Sequence, residues 1–198
     1  MASKAAATKP AFTQVEPILS NHKILFSGTT GAGKTTAIGA VSEIPPLSTD
    51  VRNTDLGISK EMTTVGLDYG ELTLDNGDKL RLYGTPGQKR FDFMWKILSK
   101  GSLGLIILID NRQPHPLADL DMYLEGFSQL IADTACVVAV GRMDTHPTPS
   151  LEEFSAHMAL RGVLCPVLNT DVRDAPQVVQ LLELLLLQLE LKTEIEPA

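Results

Sequence analysis

The stretch Gly28-Thr29-Thr30-Gly31-Ala32-Gly33-Lys34-Thr35 constrains this chain more than any other. It follows a short apolar run, Lys23 to Ser27, and precedes Ile38, Val41 and Ile44 at helical spacing. The expected order is therefore strand, glycine-rich turn, helix, with Pro45-Pro46 as the stop. Glycines let backbone N–H groups curl around phosphate oxygens with no Cβ in the way. The helix start adds the positive end of its dipole. The pattern is G-x-x-x-x-G-K-[ST]. In it the lysine, here Lys34, reaches the β- and γ-phosphates, and the hydroxyl of Thr35 meets Mg²⁺. Phosphate binding is expected from Gly28, Thr29, Thr30, Gly31, Ala32, Gly33, Lys34, Thr35 and Thr36. The pattern alone is common to ATPases, GTPases and small-molecule kinases.

The rest of the chain reads as strands buried on both faces alternating with amphipathic helices, which implies an α/β fold with a mainly parallel sheet flanked by helices. Residues 46–60 carry no periodicity and read as a long loop. A hairpin is expected from Thr63 to Leu74 and Lys79 to Tyr83, turning at Asn76-Gly77. A helix over 90–99 and a strand from Leu103 to Asp110 follow. Pro116 opens a helix reaching about Ile131. Ala135 to Val140 and Val163 to Leu168 read as strands. Between them Ser150 and Glu153 form a capping box for a helix to about Arg161. Asp174 caps the last helix, to about Lys192. This divides the chain into an arm (1–20), one domain (21–192) and a short tail (193–198).

Three stretches narrow the chemistry. A threonine after the long loop, Thr64, can complete magnesium coordination and hold that loop against a γ-phosphate, although threonines also suit a strand. In Tyr83-Gly84-Thr85-Pro86-Gly87-Gln88, the Gly87 N–H can meet a γ-phosphate and the Gln88 amide can orient water, although the same residues also make a plain turn. Asp144 leaves the strand of Val138 to Val140. Its carboxylate can accept from the N1–H and N2–H₂ of guanine, whereas adenine would leave it unpaired. The alternative is a turn aspartate.

Composition removes other classes. A length of 198 residues suits one domain, and 43% apolar with only 5% aromatic residues calls for an aliphatic core. A net charge of −7 argues against nucleic-acid binding. The two cysteines, Cys136 and Cys165, are too few for a disulfide framework and lie in apolar runs that read as strands. The four histidines form no close-spaced ligand pair. No run approaches the ~18 apolar residues of a membrane span. The first ten residues lack the apolar core of a secretory signal, so a cytoplasmic setting is expected.

Taken together, the motifs at 28–35, 64, 83–88 and 141–144 resemble the Ras-like small GTPases over about residues 22–192. Tyr83 to Gln88 and Thr64 to Gly70 resemble most the bacterial branch related to the gliding and cell-polarity GTPases and the conservon GTPases. The resemblance implies a six-stranded sheet with five helices, a GTP/GDP switch, bound Mg²⁺ and slow hydrolysis. It also implies roadblock-type partner proteins as activators or effectors. Catalysis would fall to Lys34, Thr64 and Gln88, and metal binding to Thr35 and Thr64. Gly141-Arg142-Met143-Asp144 resembles the guanine motif Asn-Lys-x-Asp, with the Arg142 stem covering the base. Asp171-Val172-Arg173 resembles the last guanine loop, with the Val172 N–H meeting the guanine O6. The pattern departs at Gly84, where relatives usually carry an aspartate that holds a magnesium water; Asp68 can help through a water. Two rivals remain: a GTP-holding scaffold without turnover, and an ATP-dependent kinase. The leucine-rich last helix and Phe91, Phe93, Met94 and Trp95 serve either the core or a partner surface, a homodimer included.

Overall fold

Each strand here sends successive side chains to opposite faces, so a strand apolar throughout must be covered on both sides. The computed structural model, which describes residues 21–48 and 66–195, has that layered form. In chain order the elements are β1 (Asn21–Gly28), α1 (Lys34–Val41), β2 (Leu47–Ser48), β3 (Asp68–Thr73), β4 (Lys79–Gly84), α2 (Asp92–Ser99), β5 (Ser102–Asp110), α3 (Pro116–Gly126), α4 (Ser128–Asp133), β6 (Ala135–Gly141), α5 (Leu151–Ala159), β7 (Val167–Asn169) and α6 (Ala175–Ile195). The sheet order is β2-β3-β4-β1-β5-β6-β7. β4, β1, β5, β6 and β7 run parallel, and β2 and β3 are antiparallel to their neighbours.

Ile24, Phe26, Leu82, Ile106, Leu108 and Val137 face one side and pack with Ile38 of α1 and Val178, Leu181 and Leu185 of α6. The intervening residues Leu25, Leu105, Ile107 and Val138 face the other. They meet Trp95, Tyr123 and Phe127 from the α2–α4 side and Phe154 of α5. Because five strands are parallel, the loops after β1, β4, β5, β6 and β7 emerge at one edge. Such an edge is where open α/β sheets bind ligands.

The six expected strands are present. A two-residue seventh, β2, lies in the expected loop and pairs with β3 at Leu47↔Tyr69 and Ser48↔Asp68. α1 ends at Val41, short of the prolines, because the Ser42 hydroxyl takes over the chain by donating to Ile44 O and accepting from Glu71 N–H. The helix expected from Pro116 to Ile131 is two helices parted at Phe127, whose ring is buried against Trp95. The strand expected from Val163 begins only at Val167. Cys165 therefore lies outside any strand and is partly buried, whereas Cys136 is buried in β6. The capping box is formed, with Glu153 N–H donating to Ser150 Oγ and Ser150 N–H to Glu153 Oε2. α6 spends most of its leucines on the core, leaving Leu187 and Leu191 exposed. Trp95 is buried and Phe93 exposed, so α2 divides its aromatics between core and surface. The arm 1–20, Thr64 and the residues after Ile195 lie outside the described residues.

Candidate functional site

β1 delivers the glycine-rich loop to the edge, and α1 starts directly behind it. A side chain at Gly28 would put its Cβ 2.2 Å from Leu108 O, so β5 passes too close for any other residue. Gly33 caps α1 in the left-handed region (φ 99°). The Lys34 ammonium folds over the loop, donating to Gly28 O at 2.7 Å and Thr29 O at 2.9 Å. Burial pulls its pKa from 10.5 to about 8, partly opposed by the Asp68 carboxylate. A desolvated cation at the first turn of a helix is a site that gains from an anion.

Thr35 Oγ1 donates to Asp68 Oδ2 at 2.7 Å. Asp68 is paired across the ladder with Gly84, and a Cβ at Gly84 would lie 2.8 Å from Asp68 Oδ2. The Asp68 carboxylate thus fills the space that a side chain at Gly84 would need. Hydroxyl and carboxylate oxygens are the ligand type Mg²⁺ prefers. Among the described residues no group of three or more His, Cys, Asp or Glu gathers to hold a metal. A cation here would thus depend on these two oxygens and on phosphate.

The turn after β4 lies against the loop. Thr85 N–H donates to Phe26 O, and the Ser27 and Thr85 hydroxyls are 2.8 Å apart. A Cβ at Gly87 would sit 2.6 Å from Thr30 N and 2.7 Å from Gly28 O, so the backbone approach needs glycine. Gln88 is exposed next to it, its carbonyl accepting from Phe91 N–H.

Beside the phosphate loop is a cavity of about 510 Å³. Ala32, Arg142, Asp144 and Val172 all line it, although they come from three separate loops. Val172 also touches the phosphate loop, since a Cβ at Gly33 would meet its Cγ2 at 2.6 Å. Arg142 holds a positive φ of 69°, unusual for a residue with a side chain. Sequence reasoning missed two further pairs in this cavity. Arg112 grips Asp110 through Nε and Nη2, and Arg173 grips Asp171 in the same way. These hydrogen bonds, each from an arginine two residues on, hold the Asp110 carboxyl below the usual range and the Asp171 carboxyl well below it. The signal was the Asp-x-Arg spacing, repeated after two parallel strands.

Known proteins match this frame. A family model described as "conserved hypothetical ATP binding protein" matches residues 48–193. The Ras-related protein RabC of Dictyostelium discoideum is 28% identical over 126 residues, 61% of this chain; the chain spans 58% of that relative, less than two thirds of its length. The Ras-related protein RABD2a of Arabidopsis thaliana is 22% identical over 162 residues, covering 80% of this chain and 74% of the relative. The crystal structure of the G domain of the T. maritima FeoB iron transporter aligns with a TM-score of 0.61 at 18% identity, covering 85% of this chain and 98% of that one. The fold is therefore that of a G domain, with Ras-related proteins as low-identity relatives. Among the described residues no helix is long and apolar enough to cross a membrane.

Proposed function

Because the chain belongs to the family described as conserved hypothetical ATP binding protein, we propose a nucleotide-dependent role for it, and specifically that of a Ras-like switch that binds GTP and hydrolyses it slowly. One observation carries this reading: Asp144, Arg142 and Val172 line a single cavity that opens beside Ala32 of the phosphate loop. Lys34 and the loop amides hold the polyphosphate, and Asp144 selects the base by accepting from N1–H and N2–H₂. Bound Mg²⁺ would neutralise charge on the β- and γ-phosphates. Thr35 and Asp68, whose side-chain oxygens are hydrogen-bonded to each other, would hold it, with Thr64 as the expected third ligand. Gly87 feels the γ-phosphate, and Gln88 orients water. Without an added arginine, turnover is expected on the order of 10⁻⁴ to 10⁻² s⁻¹. The turn Thr85 to Gln88, together with Asp68, supports the bacterial polarity branch and thus a roadblock-type partner.

The family description favours one rival, ATP as ligand. Titrating purified protein with GTP, GDP and ATP separates the two. GTP should bind at least about 10²-fold tighter than ATP, because adenine leaves the Asp144 carboxylate unpaired. Asp144→Asn should lose GTP and gain xanthosine triphosphate. A variant that keeps the GTP preference overturns the guanine assignment, and tighter ATP binding overturns the reading.

A further inference from the structure

We propose that Trp95 and Tyr123 are positioning residues that aim the Gly87 N–H at the phosphate loop and so set the preference for tri- over diphosphate. The inference rests on the guanine-nucleotide reading above. Trp95 Nε1 donates to Pro86 O at 2.8 Å, and Tyr123 Oη donates to Gly87 O at 2.7 Å. Two successive carbonyls of the turn are therefore pulled toward the core by donors on two different helices, α2 and α3. Among the described residues the one cis peptide bond is Thr148–Pro149, so the peptides after Pro86 and Gly87 are trans. In a trans peptide the C=O and the following N–H point in opposite directions. Drawing Pro86 O toward the core turns Gly87 N–H away from it, in a turn whose Gly87 Cα lies against the phosphate loop, since a Cβ there would meet Thr30 N and Gly28 O. Drawing Gly87 O inward does the same for Gln88 N–H.

The donors are rigid. Trp95 and Tyr123 are 1% and 0% exposed. The indole stacks on Phe127 at 5.3 Å and tilts against Tyr123 at 5.2 Å. Gly126 leaves room for it, since a Cβ there would come within 2.6 Å of Trp95 Cε3. Burial pushes the Tyr123 phenol well above its ordinary pKa, so the hydroxyl keeps its proton. Upstream, Thr85 is fixed to β1, and Pro86 has a locked φ. With both sides of the turn held, the amide that reads the outer phosphate is oriented before ligand arrives.

The test removes one proton donor and little else. Tyr123→Phe keeps the ring, and Trp95→Phe keeps the aromatic contact with Phe127 while losing the N–H. Affinities for GDP and for a non-hydrolysable GTP analogue are measured by titration. A neutral hydrogen bond is worth about five-fold, so each variant should bind the triphosphate analogue about five-fold more weakly, with GDP affinity held within about two-fold. A general packing role would lower both affinities together or only lower the unfolding temperature. An unchanged ratio in both variants, with wild type favouring the triphosphate, overturns this inference alone. A wild type blind to guanine nucleotides overturns the functional reading and this inference with it.

Discussion

Placing an aspartate at Gly84 would supply the residue that the Ras-like proteins this chain resembles usually carry there, and the structure opposes it. Gly84 is paired across the ladder with Asp68, and its missing Cβ would lie 2.8 Å from Asp68 Oδ2 and 2.9 Å from Asp68 Cβ. Both residues are buried, at the end of β4 and the start of β3. Overpacking of this kind costs about 1–3 kcal/mol. A second carboxyl forced against the first raises the pKa of one of them by a unit or more, adding about 1–2 kcal/mol at neutral pH. The sum, about 2–5 kcal/mol, corresponds to an unfolding midpoint lowered by about 4–20 °C for a domain of this size. Moving the carboxylate rather than duplicating it should relieve both costs. Asp68→Gly is the required partner, because Asp68→Ala would leave a Cβ that still collides. Circular-dichroism melts of the two single variants and of Asp68→Gly/Gly84→Asp form a double-mutant cycle, with an expected coupling of at least about 2 kcal/mol. A Gly84→Asp protein melting within about 1 °C of wild type, or an additive double variant, refutes the competition for that space.

Two further outcomes follow from the same site. Lys34 is held at about 8 in the fold against 10.5 in the unfolded chain, so between those values the unfolded state binds more protons and stability rises with pH. The rise through this residue is up to ~3 kcal/mol, is absent below pH 8 where both states are protonated, and should vanish in Lys34→Met; urea titrations at pH 7.5 and 9.5 check it. Gln88→Leu alters an exposed side chain, so it should leave melting and GTP affinity unchanged while slowing single-turnover hydrolysis by at least about 10²-fold.

The elements that sequence made legible are those whose cause is local. The phosphate loop is written in eight consecutive residues, and the Ser150–Glu153 capping box in four. Strands such as β5 and β6 declare themselves by unbroken apolar runs. What escaped depends on contacts made across the fold. The parting of α3 from α4 at Phe127 answers to the Trp95 ring, 32 positions earlier in the chain. β2 exists because β3 offers an edge to Leu47 and Ser48, and nothing in those two residues announces a strand. The contact between Asp68 and Thr35 is not readable from either residue, because it follows from the strand register that puts Asp68 over Gly84 and onto the Thr35 hydroxyl.

The cavity lined by Asp144 shows how that non-local information bears on the proposed function. Three carboxylates, Asp110, Asp144 and Asp171, line it, and the sequence singles out Asp144 by motif without saying what occupies the other two. The fold does. Asp110 and Asp171 are each held by a bidentate arginine two residues on, so their acceptor capacity facing the cavity is largely spent. Among the described residues Asp144 makes no such ion pair; Arg173, which it feels only at a distance, is already committed to Asp171. A carboxylate left open at the rim of a cavity, beside two that are closed, is an acceptor waiting for donors. Guanine presents two adjacent N–H donors on one edge, and adenine presents none in that arrangement. The same logic makes the arginines consequential without touching the base: releasing Asp171 by Arg173→Ala would add a second open carboxylate to the cavity, free to accept from the N6 amine of adenine, so the ratio of GTP to ATP affinity, read by titration, should fall; an unchanged ratio refutes the ranking.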